Sequence, residues 1–305
     1  MTTLPANLRV LERGWLSSNN ILLRDAHGCT LIDSGYGAHL PQTLALIEHA
    51  LAGVPLERLV NTHCHSDHMG GNAEIRRRHR CRVSIPAGEA PLIDAWNDTD
   101  LVLSFADQRA ERFGYDDTFD ANDTLSMGEL DWQVHSAPGH DPHAAMFWSA
   151  DERILISGDA LWENGFGVIF PALFGRAQAF AETRATLDAI AALGAKTVIP
   201  GHGRPFIEVD TALERAFGRL RAYESDMTRL ARHAAKVMLT FALLEKRELP
   251  IAQLPAYIER VPIFGVINRW LEMSTAELAA FLIEDLERAG AIARKDGMLA
   301  PLMAA

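Results

Sequence analysis

The stretch NTHCHSDHMGGN, Asn61–Asn72, puts His63, His65, Asp67 and His68 within six residues, directly after the apolar run LERLV. Imidazole nitrogen and carboxylate oxygen are the usual ligands of zinc and similar divalent ions. The chain has only 12 histidines, so three falling beside an aspartate by chance is improbable. On an extended segment His63, His65 and Asp67 share one face, and His68 turns off beside them. The same alternation points Cys64 toward the core. Gly70 and Gly71 permit a tight turn, and a helix start is expected from Asn72. Four donors on one loop cannot all serve one ion comfortably, so more must come from elsewhere.

They are found at the ends of apolar runs. LDWQVHSAPGH, RILISGD and AKTVIPGHG each read as a strand closing in a small-residue turn, and the turns carry His140, Asp159 and His202. Taken singly, each is an ordinary turn residue. Together with the first motif they make seven donors, enough for two ions sharing a carboxylate. NILLRDAHGCTLIDSG reads as two strands about a polar turn, and CRVSIPAGE as another strand. LPQTLALIEHALAG and AFAETRATLDAIAAL have helical periodicity and stop at glycine.

After Pro205 the pattern becomes almost wholly helical. STAELAAFLIEDLERAG begins with a capping box, Ser274 and Glu277, and ends at Gly290. AIARKDGMLAP then reads as a hairpin. Two domains are therefore expected, 1–207 catalytic and 208–305 helical, the latter resembling a winged helix.

The chain has 305 residues and a net charge of −11, nearly all of it within 1–207. Neither part is basic, which weighs against a nucleic-acid partner. No apolar run approaches the roughly 20 residues of a membrane span, and the first residues contain no apolar core of a secretion signal. Three cysteines without a recognisable spacing argue against a disulfide framework. A cytoplasmic protein acting on a small molecule, with no membrane partner and with a homodimer through its helical tail as an open arrangement, is the expectation. The elbow of Ser hydrolases, the phosphate loop and the dinucleotide fingerprint are all absent.

Over roughly residues 15–207 the sequence resembles metallo-β-lactamase superfamily hydrolases, more particularly those like glyoxalase II. The signature HxHxDH stands intact as His63, His65, Asp67 and His68, and His140, Asp159 and His202 follow in the family's order. LIDSG matches the family's first motif. The resemblance implies an αββα four-layer sandwich of the mixed α/β class. It implies one ion on His63, His65 and His140, a second on Asp67, His68 and His202, and Asp159 as the bridge. Asp33 would support the metal loop from behind, and His143 matches a histidine of some relatives beside the site. Zinc is the first expectation, with iron or manganese as alternatives. The implied activity is hydrolysis of a small thioester, ester or lactone by a hydroxide shared between the ions, with Asp67 orienting the nucleophile or moving its proton. Other readings stay open: a nuclease or phosphodiesterase using the C-terminal part, an oxygenase with one iron on His63, His65 and His140, and a binding scaffold without catalysis.

Two segments are candidates for the pocket. LWENGFGVIFPALFG follows Asp159 and offers Trp162, Phe166 and Phe170. The insertion AWNDTDLVLSFADQRAERFGYDDTFD is a candidate cap. Arg221, Arg229, Arg232 and His233 have the spacing to meet an anionic leaving group such as a coenzyme A or glutathione moiety.

Overall fold

The computed structural model describes residues 4–302; the sequence reading of the extreme N-terminus therefore falls partly outside the described residues. Six strands form a first sheet in chain order: β1 (Leu8–Leu11), β2 (Asn20–Arg24), β3 (Cys29–Ile32), β4 (Leu56–Val60), β5 (Arg82–Pro86) and β6 (Asp117–Phe119). The first three pair antiparallel, and β3 to β6 run parallel. The β2–β3 turn is closed by Asp25, whose Oδ1 accepts from the amides of His27 and Gly28.

A second sheet holds β7 (Thr124–Met127), β8 (Leu130–Ser136), β9 (Ala145–Ser149), β10 (Ile154–Gly158) and β11 (Thr197–Pro200), in the order β11-β10-β9-β8-β7. The helices are α1 (Leu40–Leu51), α2 (Ser66–Met69), α3 (Asn72–His79), α4 (Ala90–Ala95), α5 (Phe170–Leu173), α6 (Ala179–Leu193), α7 (Val209–Ser225), α8 (Met227–Lys246), α9 (Leu254–Arg260), α10 (Pro262–Asn268) and α11 (Thr275–Arg288).

Successive side chains of a strand point to opposite faces, so each strand feeds two apolar layers. On β2, Ile21 and Leu23 enter the layer between the sheets, where they meet Trp132, Phe147, Ile156 and Ile199. Leu22, between them, turns outward with Leu31 and Leu59 to Ile47 of α1 and Ile75 of α3. On β10 the same alternation sends Ile154 and Ile156 inward, while Leu155 turns out to Leu187 and Ile190 of α6. The result is helices, sheet, sheet, helices: the αββα sandwich.

The outer layer of the second sheet does not stop at residue 207. Leu155, Val198 and Leu187 share one continuous apolar cluster with Leu220 of α7, Leu239 of α8 and Leu282 of α11. The helix α7 ends where Asp226 leaves helical geometry and caps α8, its carboxylate accepting from the Thr228 amide. The capping box of Ser274 and Glu277 starts α11. After it, β13 (Ile292–Lys295) and β14 (Met298–Pro301) form the expected hairpin, and β12 (Leu249–Pro250) adds to β14.

Candidate metal centre and its pocket

The donors gather where strands end. His63 follows β4, His140 follows β8, Asp159 follows β10 and His202 follows β11. The opening motif itself is only half extended. Asp67 and His68 lie on the short helix α2, not on a continued extended edge. The helical turn lets consecutive residues diverge by about 100°, which is how both reach the same centre from neighbouring positions.

Three groups of donor atoms each lie within 4.8 Å of one another: His63, His65 and His140; His63, His68 and Asp159; and Asp67, His68 and His202. His65 Nδ1 and His140 Nε2 are 2.8 Å apart. Asp159 stands between the sets. Its oxygens lie 3.4 Å from His68 Nε2, 3.5 Å from His140 Nε2 and 3.8 Å from His202 Nε2. His202 Nε2 meets Asp67 Oδ2 at 3.1 Å. All seven sequence-derived donors are therefore brought together.

The way each imidazole is held decides whether the group fits a cation. His68 Nδ1 contacts Asp33 Oδ2 at 2.8 Å, and His63 Nδ1 contacts Thr62 Oγ1 at 3.1 Å. His140 Nδ1 donates to the Val168 carbonyl at 2.6 Å. With Nδ1 occupied, Nε2 faces the centre with its lone pair. In His63 and His68 that nitrogen is buried and has no hydrogen-bond partner. A buried nitrogen without a partner is costly, and a divalent ion satisfies it. The donor chemistry and these orphaned nitrogens fit divalent metal binding. Asp33 reaches further, since its Oδ1 accepts from the Thr62 amide at 2.8 Å and its backbone sits at φ +58°.

Electrostatics agree with a cation site. Burial opposes ionisation of Asp159, yet His202 and His68 beside it hold its carboxyl well below the usual range. Burial presses the His68 proton off, but Asp33, Asp159 and Asp67 outweigh it and raise the group well above an ordinary histidine. Burial, with His140 next to it, drops His65 to about 4. A cation entering among these carboxylates displaces the His68 proton and takes over its role. Space is equally constrained. A Cβ on Gly201 would lie 2.3 Å from Asp159 Oδ1, and one on Gly167 2.6 Å from His140 Nδ1.

The centre forms the floor of a pocket of about 440 Å³, within the usual range for small-molecule sites. Trp162 and Phe170 line it as expected, and Trp162 Nε1 donates to Asp159 Oδ1 at 3.2 Å. Phe166 does not line it. Its ring is buried in the core against Tyr223, because the segment turns back through the pairing of Trp162 with Gly165. The insertion contributes Leu101, Val102, Ala106 and Gln108 to the wall.

Of the basic residues expected there, only His233 lines the pocket. Arg229 pairs with Asp226, Arg232 lies over the Phe281 ring, and Arg221 belongs to α7, across the break at Asp226. The cations that do line it are Arg204, Arg219 and Lys236. His143 does not join the donors; its ring lies against Gly88.

Sequence reading also passed over Trp15 and Asp141. Trp15 stacks on His202 with centroids 5.6 Å apart and planes at 8°. Asp141 Oδ2 is 3.6 Å from His65 Nε2. Its place next to His140 was the signal available.

Residues 13–202 match the Metallo-beta-lactamase superfamily, and the chain belongs to that family. Among curated relatives, a hydroxyacylglutathione hydrolase of Halorhodospira halophila is 33% identical over 193 residues, 61% of this chain and 62% of that one. One from Rhodospirillum rubrum is 28% identical over 164 residues, 53% of this chain and 55% of that one. The chain spans only about two-fifths to three-fifths of the length of the curated relatives it matches. A solved metallo-beta-lactamase family protein from Thermus thermophilus superposes with a TM-score of 0.60 at 20% identity, covering 98% of this chain and all of that one. A beta-lactamase domain protein from Burkholderia ambifaria gives 0.55 at 22%, covering 98% and 94%. Both take in the C-terminal helices, so the whole-chain architecture recurs in those proteins.

Proposed function

We propose that the protein is a hydrolase holding two divalent ions and acting on a small thioester, ester or lactone. The observation that carries this is the sharing of donors: His63, His65 and His140 on one side, Asp67, His68 and His202 on the other, with Asp159 between. Ions bound there supply Lewis acidity and water acidified from a pKa of 15.7 toward about 7. The chain's own groups do the rest. Asp67 has one oxygen turned to His202; in this reading its other oxygen orients the attacking water and takes its proton. Asp33 and the Val168 carbonyl keep the imidazoles of His68 and His140 aimed inward. Trp162 and Phe170 exclude bulk water on the far side. The relatives named as hydroxyacylglutathione hydrolases support thioesters as the first class to try, and zinc is the first metal, with iron or manganese as alternatives.

Metal content per chain, measured on protein purified without added metal or a histidine tag, tests the reading. Two ions per chain with turnover of thioesters or lactones is the expected result. One iron with persulfide-dependent oxygen uptake would replace it with an oxygenase, and cleavage of single-stranded RNA would replace it with a nuclease.

A further inference from the structure

The pocket has a wall that metal chemistry does not require. Along α8, His233, Lys236, Val237, Thr240 and Phe241 recur at intervals of three and four, so one stripe of the helix faces the cavity. A separate set, including Leu230, Ala234 and Leu239, is buried in the core. Val237 and Phe241, with Leu101, Val102 and Phe170, make most of the wall apolar.

Into this wall α7 inserts Arg219. Its guanidinium packs on Gly165, where a Cβ would lie 2.4 Å from Nη1. Gly165 pairs with Trp162, whose indole donates to Asp159. One tryptophan side chain and one turn therefore separate the cation from the metal centre. Among the described residues Arg219 has no hydrogen bond and no ion pair, whereas nearby Arg215 bonds to Asn164 and the Glu163 carbonyl, and Lys236 to Asp285 at 2.6 Å. Arg204, the other arginine lining the pocket, also lacks an ion pair among the described residues but is exposed, whereas Arg219 is half-buried. Leaving a guanidinium partly desolvated without an acceptor is unfavourable, and a planar fork of donors suits a carboxylate or phosphate. The overall negative field repels anionic molecules, so a local cation is what would let one settle here.

We infer that Arg219 anchors an anionic group on the substrate, so that the pocket selects molecules in which a carboxylate or phosphate is joined through an apolar body to the scissile carbonyl. This rests on the proposed hydrolase reading for the word substrate. The anion site itself does not.

Binding to the metal-loaded protein tests it, followed through the fluorescence of Trp15 and Trp162. The ligands are monocarboxylates of about six to ten carbons, the α,ω-dicarboxylates of the same lengths, and the monocarboxylates carrying a terminal phosphate. All present one carboxylate to the metals and differ only at the tail. The expected result is that an anionic tail tightens binding about 10- to 100-fold, the range of a charged hydrogen-bonded pair. In Arg219→Gln that advantage falls to near unity, and Arg219→Lys keeps part of it. The relative gain from carboxylate and phosphate tails tells which anion the site takes. No advantage in the unaltered protein, or an advantage that survives in Arg219→Gln, overturns the proposal. If tailed ligands bind through Arg219 while every thioester, ester and lactone stays intact, the hydrolase reading fails and the anion site stands.

Discussion

Four of the seven donors on the pocket floor leave the end of a strand, and the imidazoles of His63, His68 and His140 are each held from behind by a hydrogen bond, whereas the apolar part of the α8 wall is placed by packing alone. His68 cannot turn without breaking its contact with Asp33, nor His140 without losing the Val168 carbonyl. Val237 and Phe241 have no such tether and stand where the helix's buried stripe puts them. The difference separates two demands. Cation binding needs donor atoms fixed to a fraction of an ångström, while accommodating a substrate body needs only shape and apolar surface.

The comparison breaks most sharply at Asp159. It faces imidazoles of both donor sets, so Asp159→Ala should lower metal content well below that of the unaltered chain and reduce turnover by more than about a hundredfold, beyond what loss of an outer support costs. Elemental analysis alongside a thioester assay reads both. Full metal occupancy in this variant would mean Asp159 is no ligand.

A smaller effect is expected at Asp33, which touches His68 from behind. Asp33→Asn keeps the side-chain shape, and asparagine tolerates the left-handed backbone found there. The negative charge facing His68 is lost, together with one of the two oxygens that accept from Thr62 and His68. Competition with a chelator should show affinity falling about 10- to 100-fold. An unchanged affinity would make the contact with His68 merely structural.

The wall carries its own titration. Burial, with Arg219 and Lys236 close by, drops His233 to about 4. The unfolded chain binds this proton near pH 6.5 and the folded chain does not, so stability is fully present above about 6.5 and declines as pH falls toward 4. For this half-buried ring the loss is about 2 kcal/mol. Comparing metal-free protein with metal-free His233→Phe isolates it, because the donor histidines titrate alike in both. Parallel stability curves between pH 4 and 6.5 would show that His233 contributes no such slope.

The floor was legible in the sequence because it obeys short-range rules. HxHxDH fixes four donors by spacing, and His140, Asp159 and His202 each sit where an apolar run must turn. Asp33 was legible only through the resemblance of LIDSG to the family's first motif. The helical half of the opening motif was not, since four residues of α2 are too few to show a period. Phe166 and Phe170 lie four apart in an aperiodic segment, and only the tertiary turn at Trp162 and Gly165 decides that one enters the core and the other the cavity. The basic residues teach a further point. The buried stripe of α7 runs through Val209, Ala212, Leu213, Ala216, Leu220 and Tyr223. Arg219 flanks that stripe and Arg221 lies farther round the helix, a distinction the periodicity contained once α7 and α8 are split at Asp226.

The apolar cluster that runs unbroken from Leu155 and Val198 to α11 also sets an order in time. As the chain leaves the ribosome, every donor through His202 emerges before any part of α7 to α11. Over that interval the outer face of the second sheet has α6 against it but none of α7 to α11. The donor atoms can therefore be delivered to their strand ends while the cavity still lacks its wall, leaving the centre open to ions from the surrounding solution until α7 and α8 close over it.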